Sequence, residues 1–326
     1  MNPGYYLVTG AAGFIGSQLT EALVLRGKPV IALDSFLEEL YPATVKKERW
    51  NRLESLDDEH LKCIKFDLRT DNFEVLEQFQ IRSIFNQAAL PGLISDPRKF
   101  SVYYDCNLSA LNRLLEFAKD RGVHKFVQAS TSSVYGRSAI GDEDSELKPV
   151  SPYGVSKLAA EKLLLAYKEA FEMPSVILRY FSVYGPAQRP DMAYSKLISA
   201  ALNGREFHMY GDGLQRRSNT SIDDIFDATI RAEEMGNSGE IFNVCGDETI
   251  SLLDAISEIE SSLGVAIRLK KLANRTGDQR ETSGSNYAIK SRLNWIARTN
   301  FKTGIQNQIA FAKKDPQFLK SSSVKN

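Results

Sequence analysis

Tyr5-Tyr6-Leu7-Val8-Thr9-Gly10-Ala11-Ala12-Gly13-Phe14-Ile15-Gly16 decides how this chain folds. The first five residues read as a buried strand, and a helical pattern runs from Ile15 to Arg26, where Gly27 stops it. Between the two, Gly10, Gly13 and Gly16 recur at every third position. Glycines so spaced allow a tight turn, close packing of helix on strand, and close approach of a pyrophosphate to the backbone. The helix start at Phe14 and Ile15 then offers free N–H groups and a partial positive charge to that phosphate. The next strand, Val30-Ile31-Ala32-Leu33, ends at Asp34. A carboxylate there can accept both hydroxyl hydrogens of an adenosine ribose and would repel a 2′-phosphate, which favours NAD over NADP. The alternative is a glycine-rich helix cap followed by an incidental acid. Strand, turn, helix, strand and acid in this order favour the nucleotide.

Working outward, apolar runs of strand length continue at Lys62–Phe66, Ser83–Gln87, Lys125–Ser130 and Ser175–Leu178. Helical patterns lie between them, at Leu108–Asp120 and Tyr153–Phe171. This alternation predicts an α/β fold with a Rossmann-like, doubly wound parallel sheet. Burial on both faces explains strands that are solidly apolar rather than alternating. From about Tyr184 the texture changes: Gly185-Pro186, Arg189-Pro190 and Gly211-Asp212-Gly213 interrupt the chain, with helices expected near Ser195–Leu202 and Leu252–Leu263. The expected organisation is a cofactor-binding domain over 1–180, taking in about 220–245, and a smaller, partly interleaved C-terminal α/β substrate region over 181–326. Ile241-Phe242-Asn243-Val244 is a candidate further strand of the main sheet, and a polar tail follows Lys313.

Composition removes several classes. The 326 residues are 43% hydrophobic and 25% charged, an ordinary globular balance. Lys plus Arg equals Asp plus Glu, 41 against 41, so no global basic field asks for nucleic acid or an anionic membrane. Cys63, Cys106 and Cys245 are too few and too scattered for a disulfide framework, and His60, His124 and His208 share no ligand spacing with them, so no metal is expected. No apolar stretch is long enough to span a bilayer, and the N-terminus lacks the basic segment of a secretory signal. A cytoplasmic, reduced protein is the expectation.

Tyr153-Gly154-Val155-Ser156-Lys157 puts a phenol and an ammonium four residues apart at the start of a helix, on one face. A free tyrosine is a poor base at neutral pH, and a neighbouring ammonium favours its phenolate. Such a pair can take a proton from a hydroxyl as hydride leaves the same carbon. Ser130-Thr131-Ser132-Ser133-Val134-Tyr135-Gly136 closes a strand at its C-terminal end, where ligands bind in open α/β sheets, and places Thr131 to hydrogen-bond the reacting oxygen. Turn chemistry and capping are the competing account of those hydroxyls. Asp67-Leu68, after the strand Lys62–Phe66, is a candidate contact for the adenine edge.

With these motifs the chain resembles an extended short-chain dehydrogenase/reductase of the NAD-dependent sugar-nucleotide epimerase/dehydratase family, whose glycine spacing is GxxGxxG. It is most similar to the UDP-glucuronate 4-epimerases. The likeness runs from Leu7 to about Ala312 through GAAGFIG, STSSVYG, SPYGVSK, RYFSVYGPAQRPDMAY, YGDG and GDQRETSGS. It implies NAD as cofactor, with Ala88 of the paired alanines, Tyr153 and Lys157 also at the cofactor, and Thr131, Tyr153 and Lys157 as the catalytic set. It implies a nucleotide-sugar substrate, a UDP-sugar in the first instance, and a homodimer. Arg217 takes the position of the arginine that clamps the diphosphate, and Arg280 lies in a second segment reaching it. The dehydratases carry Asp and Glu where this chain has Ser132 and Ser133, two candidate sugar contacts that cannot act as carboxylate acid or base. That leaves epimerisation at C4, through a transient 4-keto sugar, as the expected reaction. Ser182 and Arg189 fall where the uronate enzymes attend the sugar carboxylate, and a structural ion pair in a Pro-rich loop is the equal alternative for Arg189. The chain departs from the pattern at Arg217-Ser218-Asn219, at Pro91–Asp96 and at Asn86-Gln87. A dehydratase or other sugar-modifying oxidoreductase of the same family, and a non-catalytic NAD-binding regulator, are the alternatives.

Overall fold

Residues 4–56, 58–92, 97–273 and 279–315 are described by the computed structural model. Seven strands among them form one parallel sheet in the spatial order Ile241–Val244, Ser175–Tyr180, Lys125–Thr131, Ile81–Asn86, Tyr5–Thr9, Val30–Asp34 and Leu61–Lys65. Val8 pairs with Ala32 on one side and Phe85 on the other, so the glycine turn leaves the sheet where the strand order reverses. Ligands settle at such a switch point because the loops on its two sides diverge and leave a crevice. Ile241–Val244 joins the edge of this sheet in parallel with Ser175–Tyr180.

Successive strand residues feed two cores. Val8, Ala32, Phe85, Val127 and Leu178 face the helices Phe14–Val24 and Ile222–Met235, packing on Leu19, Leu23, Ile225 and Ala228. Leu7, Ile31, Ile84, Phe126 and Ile177 face the other way, onto Leu111, Leu114 and Leu164. Both faces are covered, which is why the facing positions on both sides of these strands are apolar. Leu197, Ile198, Ile256, Ile259, Phe301 and Ile305 close a third core around Tyr184, built by the helices Ala193–Leu202, Leu252–Leu263 and Phe301–Lys314. Ile289, Leu293 and Trp295, within the stretch expected to belong to the substrate region, return to the first core instead. No helix among the described residues is long and apolar enough to cross a membrane.

Three elements differ from the sequence reading. The helix expected at Leu108–Asp120 starts earlier, as Phe100–Tyr103, passes through a π-helical turn at Tyr104–Ser109 and continues as Ala110–Ala118. An additional helix covers Ala43–Glu54. A second sheet joins Thr249–Ser251, Arg216–Ser221, Glu281–Gly284 and Ser138–Gly141, and Ser182–Tyr184 pairs with Arg216–Ser221.

Candidate active site

Above the C-terminal ends of the central strands lies a cleft of about 1220 Å³, open to solvent. Gly10, Gly13, Phe14, Ile15, Gly16, Asp34, Asp67, Leu68 and Ala88 all line it, together with Tyr153, Lys157 and Arg189. Gly10 has φ +66°, and a Cβ on Gly16 would stand 2.1 Å from the Gly10 carbonyl oxygen, so neither position admits a side chain. The first helix opens on this turn with no acidic residue in its first turn, leaving its N-terminal positive end unopposed. Asp34 receives the backbone N–H groups of Ala12 at 3.0 Å and Phe36 at 2.7 Å, fixing its carboxylate at the cleft wall. Asp67 is forked by Arg69, which holds its carboxyl below the usual range. A bare turn at a helix N-terminus, with an acid one strand away, fits a dinucleotide with an unmodified ribose.

Thr131 is the last residue of its strand. Tyr153 and Lys157 stand one turn apart on the helix Pro152–Phe171, which starts where it does because Ser151 accepts the Gly154 N–H at 3.0 Å and Pro152 occupies the first turn. The Thr131 hydroxyl donates to Ser133 Oγ at 3.3 Å. Burial pushes the Tyr153 phenol above its ordinary value, while the Thr131 hydroxyl and the positive charge of Arg189 pull it back. Burial lowers Lys157 to about 8, against the upward pull of Glu161. Arg189 is thus a cation acting on the Tyr153 phenol that the sequence reading, which named Lys157, did not foresee.

The other predicted positions are more dispersed. Ser132 and Ser133 open a 3-10 turn after Thr131, whose Oγ1 accepts the Ser133 N–H at 3.2 Å; the cleft lining stops at Ser130 on this strand and takes in neither serine nor Thr131. Arg189 stands in the cleft wall with its Nε and Nη2 on the two oxygens of Asp191, at 3.0 and 2.8 Å, so the ion pair expected as the alternative is present. Ser182 pairs with Asn219 in the second sheet. Arg217 and Thr282 are register partners there, and Arg280, just ahead of the strand Glu281–Gly284, accepts the Arg216 N–H at 2.9 Å; Arg280 is exposed and bonds Asp212 at 2.7 Å. Leu93–Asp96 and Gly277-Asp278, which carried part of the motif comparison, lie outside the described residues.

Sequence reasoning missed three groups. Asn107 in the π-helical turn donates to the Leu90 carbonyl and to Ser156 Oγ, and accepts the Leu90 N–H, so it ties the cleft wall to the Tyr153 helix. Nothing in its flanking sequence signals that bond. Glu161, one turn beyond Lys157, takes a fork from the buried Arg179 at 3.0 and 2.9 Å and a hydrogen bond from Ser130. A carboxylate on the same helical face as Lys157 was the available signal. Arg49, on the unexpected helix Ala43–Glu54, donates to the Ala187 carbonyl at 2.7 Å.

Residues 6–245 match the model of the NAD dependent epimerase/dehydratase family. An uncharacterized UDP-glucose epimerase, YtcB, of Bacillus subtilis (strain 168) is 39% identical over 94% of this chain and 96% of its own length. The UDP-glucuronate 4-epimerase of Thermodesulfobacterium geofontis is 35% identical over 98% of this chain and 100% of its own. Among solved structures, UDP-glucuronic acid 4-epimerase from Bacillus cereus in complex with UDP-glucuronic acid and NAD superposes with a TM-score of 0.90 at 36% identity, covering 95% of this chain and 99% of that one. A match over most of the sequence, joined to the glycine turn, the acid and the Thr131–Tyr153–Lys157 cluster, makes the chain a member of the NAD dependent epimerase/dehydratase family.

Proposed function

We propose that this enzyme is an NAD-dependent nucleotide-sugar 4-epimerase whose substrate pair is UDP-glucuronate and UDP-galacturonate. The observation that carries the uronate is the place of Arg189: a buried guanidinium in the cleft wall whose charge acts on the Tyr153 phenol. A uronate bears its carboxylate on C5, next to the C4 hydroxyl that the phenol serves, so a cation beside the base stands where that carboxylate arrives.

NAD, when bound, supplies a reversible hydride acceptor. Gly10, Gly13, Phe14, Ile15 and Gly16 would hold its pyrophosphate, Asp34 its adenosine ribose, Asp67 and Leu68 its adenine, and Ala88, Tyr153 and Lys157 its other half. Tyr153 Oη takes the proton of the C4 hydroxyl and later returns it. Thr131 holds the same oxygen, and Lys157 and Arg189 favour the phenolate. Ser132 and Ser133 offer no carboxylate to remove a C5 proton or expel the C6 hydroxyl, which supports epimerisation over dehydration. Arg189, its plane set by Asp191, and Ser182 restrain the substrate carboxylate while the ring turns over; Arg217 and Arg280 take the diphosphate.

The cofactor is assigned to 1–180 with about 220–245, and the sugar to the remainder. A homodimer in a reducing, cytoplasmic compartment is consistent with three free thiols and with Tyr104, Val155 and Phe171 exposed on the outer helices. The name of the Bacillus subtilis relative favours a neutral hexose as the second candidate. Comparing wild type with Arg189→Ala on UDP-glucuronate and UDP-glucose decides between them. Losing a charge-assisted fork should cost about 10- to 100-fold on the uronate and little on glucose. Wild-type preference for UDP-glucose defeats the uronate assignment.

A further inference from the structure

The loop Gly185–Asp191, which carries Arg189, is held in an unusual shape. Ala187 adopts φ +57°, a left-handed conformation that an alanine enters only under constraint, and its side chain is buried. Gln308, Ser195 and the loop's own Gln188 hold its two ends, and two side chains from the dinucleotide-binding half hold the carbonyls at Pro186 and Ala187 between them. Gln18 Nε2, on the helix that opens with the glycine turn, donates to the Pro186 carbonyl at 2.7 Å. Arg49 Nη2 donates to the Ala187 carbonyl at 2.7 Å, while its Nη1 reaches back to the carbonyl of Ala12 at 3.5 Å and to Tyr41 Oη at 3.4 Å.

Arg49 is itself buried, far from ordinary for an arginine that meets no carboxylate in this network. Ala12 belongs to the glycine turn, and its N–H is one of the two that Asp34 receives. This one residue of the pyrophosphate turn is therefore held at its N–H by Asp34 and at its carbonyl by Arg49. Tyr41 packs under the Arg49 guanidinium, 5.8 Å from ring centre to carbon, and also lines the cleft that Arg189 lines. A planar fork can satisfy two carbonyls on different loops at once, and an ammonium cannot do so with the same geometry.

We infer that Arg49, with Gln18, is a positioning residue that locks the Arg189 loop to the glycine turn, so that the substrate-facing arginine is set in place by the cofactor-binding half of the molecule. The inference deepens the function proposed above and rests on it for the role of Arg189. Arg49 does not line the cleft, so its effect on the sugar is assigned to the Arg189 loop, while bound NAD reports any effect through Ala12.

A double-mutant cycle tests that route. Arg49→Met keeps the apolar stem and removes both donors; it is compared with wild type, Arg189→Ala and the double variant, each with bound NAD and melting temperature measured. Arg49→Met should raise KM for the preferred nucleotide sugar about tenfold, with a smaller change in kcat, as expected of residues coupled through one network. In the Arg189→Ala background the same substitution should change kcat/KM by less than about twofold. Arg49→Lys should recover part of the loss. Equal effects of Arg49→Met with and without Arg189 overturn the inference, as does an unchanged KM in the single variant. Should Arg49→Met lose its cofactor or its fold, Gln18→Leu, which cuts the neighbouring tether alone, must show the same coupling to Arg189, and its failure to do so is equally fatal. The uronate assignment fails separately: Arg189→Ala then depresses uronate and neutral sugars alike, while the cycle still scores Arg49 against whatever Arg189 does.

Discussion

A phenol set in the cleft wall, as Tyr153 is, is a weaker acid than one in water, and what brings it back is a hydroxyl and a guanidinium. Replacing the ring oxygen alone isolates its work. Tyr153→Phe should retain nucleotide-sugar binding by calorimetry and lose turnover by about 10² or more; near-normal turnover would mean that another group carries the proton. Lys157 offers a measurement independent of activity. Its proton is released near pH 8 in the folded state, against 10.5 for an ordinary lysine. Below pH 8 both folded and unfolded chains are protonated, and folding carries the full cost of burying the charge. Between pH 8 and 10.5 the unfolded chain holds more protons, so the stability of the folded state rises with pH in that window. In cofactor-stripped protein, wild type should therefore gain a few kcal/mol on Lys157→Met between pH 7 and pH 10. A gap that stays constant over that range would show a lysine that titrates normally.

At the scale of elements, strand Ser175–Tyr180 and helix Pro152–Phe171 are pinned by one buried ion pair, Arg179 with Glu161, extended by Ser130 and by Tyr135, whose Oη receives Arg179 Nη1 at 2.8 Å. Arg179→Met leaves a carboxylate without its partner and should cost about 3–5 kcal/mol in urea unfolding. Arg179→Met with Glu161→Met should cost much less, because no unpaired charge is left behind; comparable losses would argue that the pair is valued for packing alone. The elements that could be read beforehand are those whose burial shows in the residues themselves. Tyr5–Thr9 and Val30–Asp34 are apolar up to their last residue because both faces are covered, and Ser151-Pro152 announces the helix that follows. Arg216–Ser221 could not be read that way. It is a polar string, buried from Ser218 to Ser221, with Ser218 bonding the Gly246 carbonyl and Asn219 accepting from Tyr194, partners remote in sequence. Ala43–Glu54 was equally silent: its charged face conceals Trp50, Leu53 and the inward-turned Arg49. The cofactor half of the site is local and was legible. The sugar half is assembled by pairing between distant strands, and only the resemblance reached it.

For the molecule as a whole, Asp34 and the bare glycine turn predict tighter binding of NAD than of NADP by calorimetry, and the reverse order would remove Asp34 from the ribose. The outward faces at Tyr104, Val155 and Phe171 predict a dimeric mass by light scattering, reduced to a monomer by Val155→Asp at unchanged melting temperature. The path of the chain has a consequence for anyone wishing to re-engineer this scaffold. After Tyr180 it leaves the sheet, returns with Ile222–Met235 and Ile241–Val244, leaves again, and comes back once more at Ile289–Trp295. Sugar preference is therefore not a cassette that can be cut from one end and exchanged. A graft from a relative would have to cross the backbone at several seams, each inside a packed core, and the loop bearing Arg189 would arrive without the Gln18 and Arg49 that shape it unless the recipient already supplied them. Small, seam-free substitutions along that loop are the practical route to a new specificity.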